Sequence, residues 1–204
     1  MAQDTSETGE TRALVLRPAS DAERQEMTAL GVLAGSGELL APPPKPGAPS
    51  TRSVVPRRAI AAHQVLNEAY AYSRPSSFAR GIRFDPGATS LLLISGTASV
   101  DEAGLTAHAG DFRAQLWRTY RNITALLAAE GATWHDVVRT TCYLRDIERD
   151  YRDFNEIRTV FFGWLGLDPL PASTGIQARL CREDLLVEIE AIAVVAAGST
   201  AAGE

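Results

Sequence analysis

What the chain lacks narrows its function before any motif is considered. It has two cysteines, Cys142 and Cys181. Two isolated thiols make no disulfide framework, so a reducing compartment is expected and the cytoplasm is the expected location. Histidine is as scarce: His63, His108 and His135 stand alone, no Cys/His pair has ligand spacing, and no metal site is expected. Neither a dinucleotide fingerprint nor a P-loop spacing is present, so no cofactor is expected. No apolar stretch approaches the ~20 residues needed to cross a bilayer. The first twelve residues carry acids where a secretory leader would carry basic charge, and no such leader is expected. Clustered basic residues are missing too. The cations are nearly all arginine and are scattered, the densest group being Arg52, Arg57 and Arg58, while the net charge is −5 and the sequence pI about 5.3. A nucleic-acid surface needs clustered positive charge, so neither nucleic acid nor membrane is an expected partner. The acidic balance suits a small neutral or anionic ligand gripped by one or two arginines.

What is present describes one ordinary globule. The 204 residues are 45% hydrophobic and 22% charged, enough for a single buried core. Residues 1–12 read as a disordered tail. Residues 13–40 form an N-terminal extension with a short strand at 13–16 and a helix starting near Ser20, where Asp21 and Glu23 suit the first turn. Five of the residues 41–50 are proline, so 41–65 reads as a linker. A patterned module follows over 66–197, and 198–204 is a flexible tail.

Within the module the periodicity alternates between strand and helix. Residues 80–84 and 90–95 are short apolar runs separated by Asp85-Pro86-Gly87, a hairpin. Asp111 can cap a helix on which Phe112, Leu116, Tyr120, Ile123 and Leu127 recur at helical spacing. Residues 137–144 are β-rich. A second helix is predicted over 150–165 with Tyr151, Phe154, Ile157, Phe161 and Leu165 on one face, stopped by Pro169 and Pro171. Strands at 174–180 and 185–195 complete the order β-β-α-β-α-β-β. That order predicts an α+β fold, a mixed sheet with two helices packed on one face. The other face needs cover, which oligomerisation would supply.

Several separated segments carry a resemblance: residues 94–147 (ISGTASVDEAG to YLRDI), FNEIRTVFF, LPASTG and LVEIEAIAVV. Together they resemble the Rid (reactive intermediate deaminase) superfamily, also called endoribonuclease L-PSP-like, over about residues 70–197. The resemblance implies a chorismate-mutase-like fold and a homotrimer with pockets between subunits. A finer likeness, in ISGTAS, YSRPSSFARG and CREDLLVEIEA, is to the C-terminal half of the chorismatases. Those are considerably longer chains that hydrolyse an enol-pyruvyl ether on a related fold.

The resemblance also implies site residues. Family deaminases hold a substrate carboxylate with an arginine after the proline of a P-A-R-[ST] segment; here Ser173 stands in its place, followed by Thr174. A serine hydroxyl hydrogen-bonds a carboxylate but does not neutralise it. Arg179, Arg182, Arg74 or Arg80 could substitute. Glu188 occupies the family's acidic position, and strand alternation puts it on the same face as Glu190, ~7 Å away. It could position or protonate through water, its bland alternative being a solvent-facing or arginine-paired glutamate. Phe78 matches an aromatic position over the ligand, with plain packing as the alternative. Gly96 and Thr97 match a pocket-lining strand end. Asn155 matches a position near the interface, or simply caps its helix. Gln115 and Asn122 read as exposed or bonded to a loop, Cys142 as a buried inert thiol, and Cys181 as a loop residue with no histidine near it in sequence.

Three functions follow as expectations. The first is a hydrolase or deaminase acting on imine, enamine or related carboxylate metabolites in an inter-subunit pocket. The second is a chorismatase-like hydrolase or lyase acting on a cyclic carboxylate, and the third a small-molecule-binding accessory protein without catalysis. Ribonuclease activity fits the acidic surface poorly.

Overall fold

The computed structural model describes residues 55–73 and 75–196, with scattered residues between 18 and 41. The chain divides into two compact units, Met1–Ser53 and Val54–Glu204, and the strands and helices named here belong to the second. The expected tails at 1–12 and 198–204, the strand at 13–16 and Arg74 lie outside the described residues.

Two capped helices and six strands build the unit. The strands are β1 (Arg57–Ala59), β2 (Gly81–Phe84), β3 (Thr89–Ala98), β4 (Val137–Leu144), β5 (Ala172–Gln177) and β6 (Val187–Ala196). The helices are α1 (Phe112–Ala128), between β3 and β4, and α2 (Ile147–Leu165), between β4 and β5. Asp111 caps α1 by accepting a hydrogen bond from the Ala114 amide at 3.0 Å. Asp146 does the same for α2 from Arg149 N at 3.0 Å, which starts that helix three residues before the predicted Asp150.

The sheet order is β1-β2-β3-β6-β4-β5, antiparallel throughout except for the parallel β4–β5 edge. It is the mixed sheet expected, with β5 and β6 shifted by a few residues at their ends. The stretch read as linker ends too late, however. Residues 57–59 are a strand, and Ile60 and Ala62 are core residues. All three β1 residues are exposed, so this strand offered no alternation to detect.

The core lies between the helices and one face of the sheet. Phe112, Leu116, Tyr120, Ile123 and Leu127 of α1 are all buried, as are Phe154, Ile157 and Phe161 of α2, whereas Tyr151 is exposed. Against them β6 presents Val187, Ile189, Ala191, Ala193 and Val195. The alternate β6 residues, among them Glu188 and Glu190, point to the face without helices. That second face leaves Leu93 and Ile176 exposed.

One buried ion network ties β1 and β2 to the end of α1. Glu130 accepts from Arg58 Nη1 at 2.6 Å and Nη2 at 2.5 Å, and from Arg83 Nη1 at 3.3 Å. Arg83 also reaches Asp85 at 3.0 Å and Ser90 at 2.6 Å. The Glu130 and Arg83 side chains are 2% and 9% exposed, that of Arg58 58%. Removing one partner of a buried pair strands the other charge. Glu130→Ala is therefore expected to lower unfolding free energy by about 3 kcal/mol in chemical denaturation, and Arg58→Ala by less than about 1 kcal/mol.

Candidate functional site

Glu188 is set in place by its strand. β6 is central, flanked by β3 and β4, so its backbone is held by ladders on both sides. The β3–β6 register is interrupted between Ile94 and Thr97, a bulge that brings Gly96 beside Glu188. A Cβ at residue 96 would lie 1.9 Å from Glu188 Oε1, so the carboxylate rests directly on the glycine backbone. Burial is the main cause that raises the Glu188 pKa above the ordinary carboxylate range, and the like charge of Glu190 adds to it. Glu190 itself accepts a hydrogen bond from Tyr143 Oη at 3.1 Å. Among the described residues no cation lies within ion-pair distance of Glu188.

Glu188 opens into a cleft of about 300 Å³ whose other polar walls are Arg80, Arg182, Tyr72, Ser76 and Cys181. Arg80 is 5% exposed. Its Nε donates to Asn67 O at 2.9 Å, and Nη2 donates to the Tyr72 hydroxyl. Its guanidinium lies 4.9 Å from the Tyr72 ring centre and 5.5 Å from that of Phe78. Burial lowers the Arg80 pKa from its usual value, while Tyr72 and Glu68 oppose that shift. Arginine nevertheless stays charged. Burial likewise raises the Tyr72 phenol, against the pull of Arg80.

The turn at residues 101–104 supports two of these walls. Asp101 N donates to Leu105 O at 2.9 Å and Gly104 N to Asp101 O at 3.0 Å. Gly104 adopts φ +79°, and a Cβ there would stand 2.5 Å from the Tyr72 ring, so only glycine suits both demands. The Gly104 carbonyl accepts from Arg182 Nη1 at 2.5 Å. The loop carrying Cys181 and Arg182 is braced from below. Arg145 donates to Leu185 O at 2.5 Å and to Arg182 O. Gln115 donates to Asp184 O at 2.8 Å and accepts from Leu186 N at 2.8 Å. Past Tyr72 and Arg182 the cleft meets a wider hollow of about 890 Å³.

The expected site residues divide into two places. Phe78, Gly96, Arg182 and Glu188 share the cleft. Thr97 sits beside Gly96, buried, with its hydroxyl donating to Ser95 O at 2.8 Å. Arg179 is exposed beyond β5 and is not among the cleft-lining residues. Asn155 and Ser173 meet on the α2–β5 side through Arg158, while Thr174 accepts from Arg139 at 3.2 Å. Sequence reasoning passed over Tyr72, whose signal was its place eight residues before Arg80 in the same aromatic segment. Of the two readings for Gln115 and Asn122, exposed or bonded to a loop, the structure shows the second. Both are fully buried, and Asn122 donates to the Ala98 and Val100 carbonyls at 3.0 Å each. Their polarity on an apolar helix face was the available sign. Cys142 is buried, with its thiol pKa raised chiefly by that burial.

Chemically, the cleft offers a carboxyl group biased toward its protonated form and two guanidinium groups on the facing walls. Among the described residues no group of three or more His, Cys, Asp or Glu could hold a metal ion. Nor is any described helix long and apolar enough to cross a membrane.

Known proteins share this frame. A family model described as Endoribonuclease L-PSP matches residues 73–195. A RutC family protein of Pyrococcus abyssi is 32% identical over 104 residues, 51% of this chain and 78% of its own length. The 2-iminobutanoate/2-iminopropanoate deaminase of Salmonella typhimurium is 31% identical over 106 residues, 52% of this chain and 80% of its own. The crystal structure of the YjgF gene product of E. coli superposes with a TM-score of 0.54 at 27% identity, covering 67% of this chain and 98% of that one.

The raised Glu188 pKa has a measurable sign. A pKa raised by folding adds stability that is fully present below the ordinary value of 4.5 and is lost as pH climbs through the folded-state value. Glu188→Gln, which removes the ionisation, should therefore gain in Tm relative to the unmodified protein as pH is raised from below 4.5 through the folded-state value. A Tm difference that stays flat across that range would contradict the assignment.

Proposed function

Because the chain belongs to the endoribonuclease L-PSP family, we propose that it is a Rid-type hydrolase acting on small carboxylate metabolites that carry an imine or enamine. The observation that carries this reading is the uncompensated Glu188 carboxyl in one cleft with Arg80 and Arg182. Arg182, half-exposed and already anchored to Gly104, binds the substrate carboxylate with its remaining N–H groups. Arg80 supplies a fixed positive field from behind Tyr72. This arrangement takes over the role that Ser173 leaves vacant.

In the reaction an enamine first tautomerises to its imine. Glu188, protonated, then hydrogen-bonds the imine nitrogen, and water adds its oxygen to the carbon. The nitrogen takes that proton and becomes the amine of a carbinolamine, while the added water sheds a proton to Glu188 and leaves a hydroxyl. Glu188 gives this second proton to the amine, the C–N bond breaks and ammonia leaves. The hydroxyl proton returns to Glu188 as the carbonyl forms. General acid–base assistance of this kind is worth about 10²–10⁴-fold.

Hydrolysis of an enol-pyruvyl ether is the second reading, and the same raised acid favours it. That reaction needs a carboxylic acid to protonate the methylene carbon. Water then captures the oxocarbenium carbon, and the hemiketal collapses to pyruvate and an alcohol. A third, non-catalytic reading would show ligand-induced thermal stabilisation without turnover.

We also place the protein in the cytoplasm as a homotrimer. Two further copies would cover the sheet face that leaves Leu93 and Ile176 exposed. A monodisperse monomer in analytical ultracentrifugation would remove the trimer.

The deaminase reading is tested by ammonia release from freshly generated 2-aminoacrylate. Glu188→Gln should lower kcat about 100-fold with an unchanged circular dichroism spectrum. Gly96→Ala should lower it about tenfold by displacing the carboxylate. Activity should fall as pH rises through the Glu188 pKa, since the neutral acid is the working form. No ammonia above background, together with pyruvate from chorismate, would transfer the assignment to the second reading.

A further inference from the structure

The helical layer keeps aromatic side chains in contact with solvent, and nothing described so far uses them. Trp117 of α1 is 43% exposed, and Val160 and Trp164 of α2 are 57% and 79% exposed. Ring contacts join the two indoles through Phe161, which meets Trp117 edge-on at 5.7 Å and stacks with Trp164 at 6.3 Å. A continuous apolar patch of this kind marks a binding surface.

Within the patch lies a groove of about 370 Å³, lined by Val65, Trp117, Tyr120, Ala125, Ala128 and Phe161. Its floor is rigid. Tyr120, only 2% exposed, stacks on Phe161 with centroids 4.6 Å apart, and buried Trp134 meets both rings edge-on at 5.5 and 5.4 Å. Trp117 stands at 76° to Tyr120 and 84° to Phe161, and so forms a wall. The Trp134 indole donates to Thr124 Oγ1 at 2.8 Å, and that hydroxyl donates to Tyr120 O at 2.8 Å. The Trp117 indole N–H, by contrast, has no acceptor among the described residues. Arg121, exposed on the groove wall, has no carboxylate within ion-pair distance among the described residues.

Size and chemistry together select the occupant. From Trp117 to Ala128 the helix rises about 16 Å. A globular partner needs about 800 Å² on each side, more than one such groove supplies, so a short linear segment fits it. A helix spends its carbonyls on its own amides, and a strand needs a sheet edge, whereas this groove is made of side chains. A polyproline II segment has neither need. Its carbonyls are free to accept from an indole, and its rings lie flat on aromatic ones. At about 3.1 Å per residue, roughly five residues fill the length. The uncompensated Arg121 calls for an acid beside the prolines.

We propose that the groove formed by Trp117, Tyr120 and Phe161 docks a proline-rich segment of a partner protein that carries an acidic residue next to its prolines. Pyrrolidine rings pack on Tyr120 and Phe161 against the Trp117 wall, the Trp117 N–H donates to a carbonyl of the segment, and Arg121 pairs with the acid. The surface is independent of the Glu188 chemistry and needs no turnover to be seen.

The probes are a hexaproline peptide with glutamate at both ends, the same peptide with lysine at both ends, and a glycine-serine peptide of equal length with the glutamates. Each is titrated into the intact protein by calorimetry and NMR. The glutamate–proline peptide should bind with a Kd below about 1 mM. The glycine-serine peptide should bind at least about tenfold more weakly and the lysine peptide at least about threefold. Trp117→Phe, which keeps a ring and removes the N–H, should weaken the glutamate–proline peptide about threefold. Arg121→Glu, at an exposed side chain, should reverse the preference so that the lysine peptide binds better. Glu188→Gln should change nothing. The proposal is overturned if the glycine-serine peptide binds as tightly, if Arg121→Glu leaves the preference as it was, or if no peptide binds. Binding that begins only when Pro43 and Pro44 are both changed to alanine would name the chain's own proline-rich segment as occupant and overturn it too. So would a fall in sedimenting mass of the free protein on Arg121→Glu, which would name a second copy.

Discussion

A carboxyl group taken out of water without a counterion is the constraint on which the rest of the unit turns. Partial burial of Glu188 opposes its ionisation, and neighbouring Glu190 opposes it further. A side chain so placed would escape to solvent if its strand could yield. β6 does not yield, because it is paired along its length with β3 on one side and β4 on the other. The apolar alternate residues of the strand, buried under both helices, supply the free energy that holds the polar ones in an unfavourable setting. Packing on one face is thus what holds an uncompensated carboxyl on the other.

The cations follow a different logic. Arg80 is buried with its hydrogen bonds directed to a backbone carbonyl and a phenol, and Arg182 is tethered to a turn carbonyl. Among the described residues neither is paired with a carboxylate, so both charges are left uncompensated. Contrast the pair Arg58 and Arg83, which Glu130 satisfies and which therefore serve only to fasten β1 and β2 to the helical layer. The same residue type is neutralised or left uncompensated according to what faces it, and the sequence does not state that.

This distinction marks where the sequence stopped being legible. The two helices and five of the six strands were readable, most of them because their buried residues recur with the period of the element, as on α1 from Phe112 to Leu127. The place of Glu188 on the sheet face without helices was readable from β alternation. β1 was not, since a three-residue exposed strand has no period to display. Tyr72 as the partner of Arg80, the loop at 180–186 as the one that Gln115 braces, and Arg158 as the cation beside Ser173 were not either. Each depends on segments brought together only by the fold, at separations of up to 71 positions for Gln115.

The turn at 101–104 connects two things that would otherwise vary independently. Its terminal glycine carries the ring of Tyr72 on one side and, through its carbonyl, the side chain of Arg182 on the other. Lengthening that turn by one residue would re-aim an aromatic wall and a cationic wall in a single event while leaving the acid on β6 untouched. On the proposed function, the walls that select a ligand and the acid that acts on it lie on separate stretches of chain, and small insertions in the turn would retune the first without rebuilding the second.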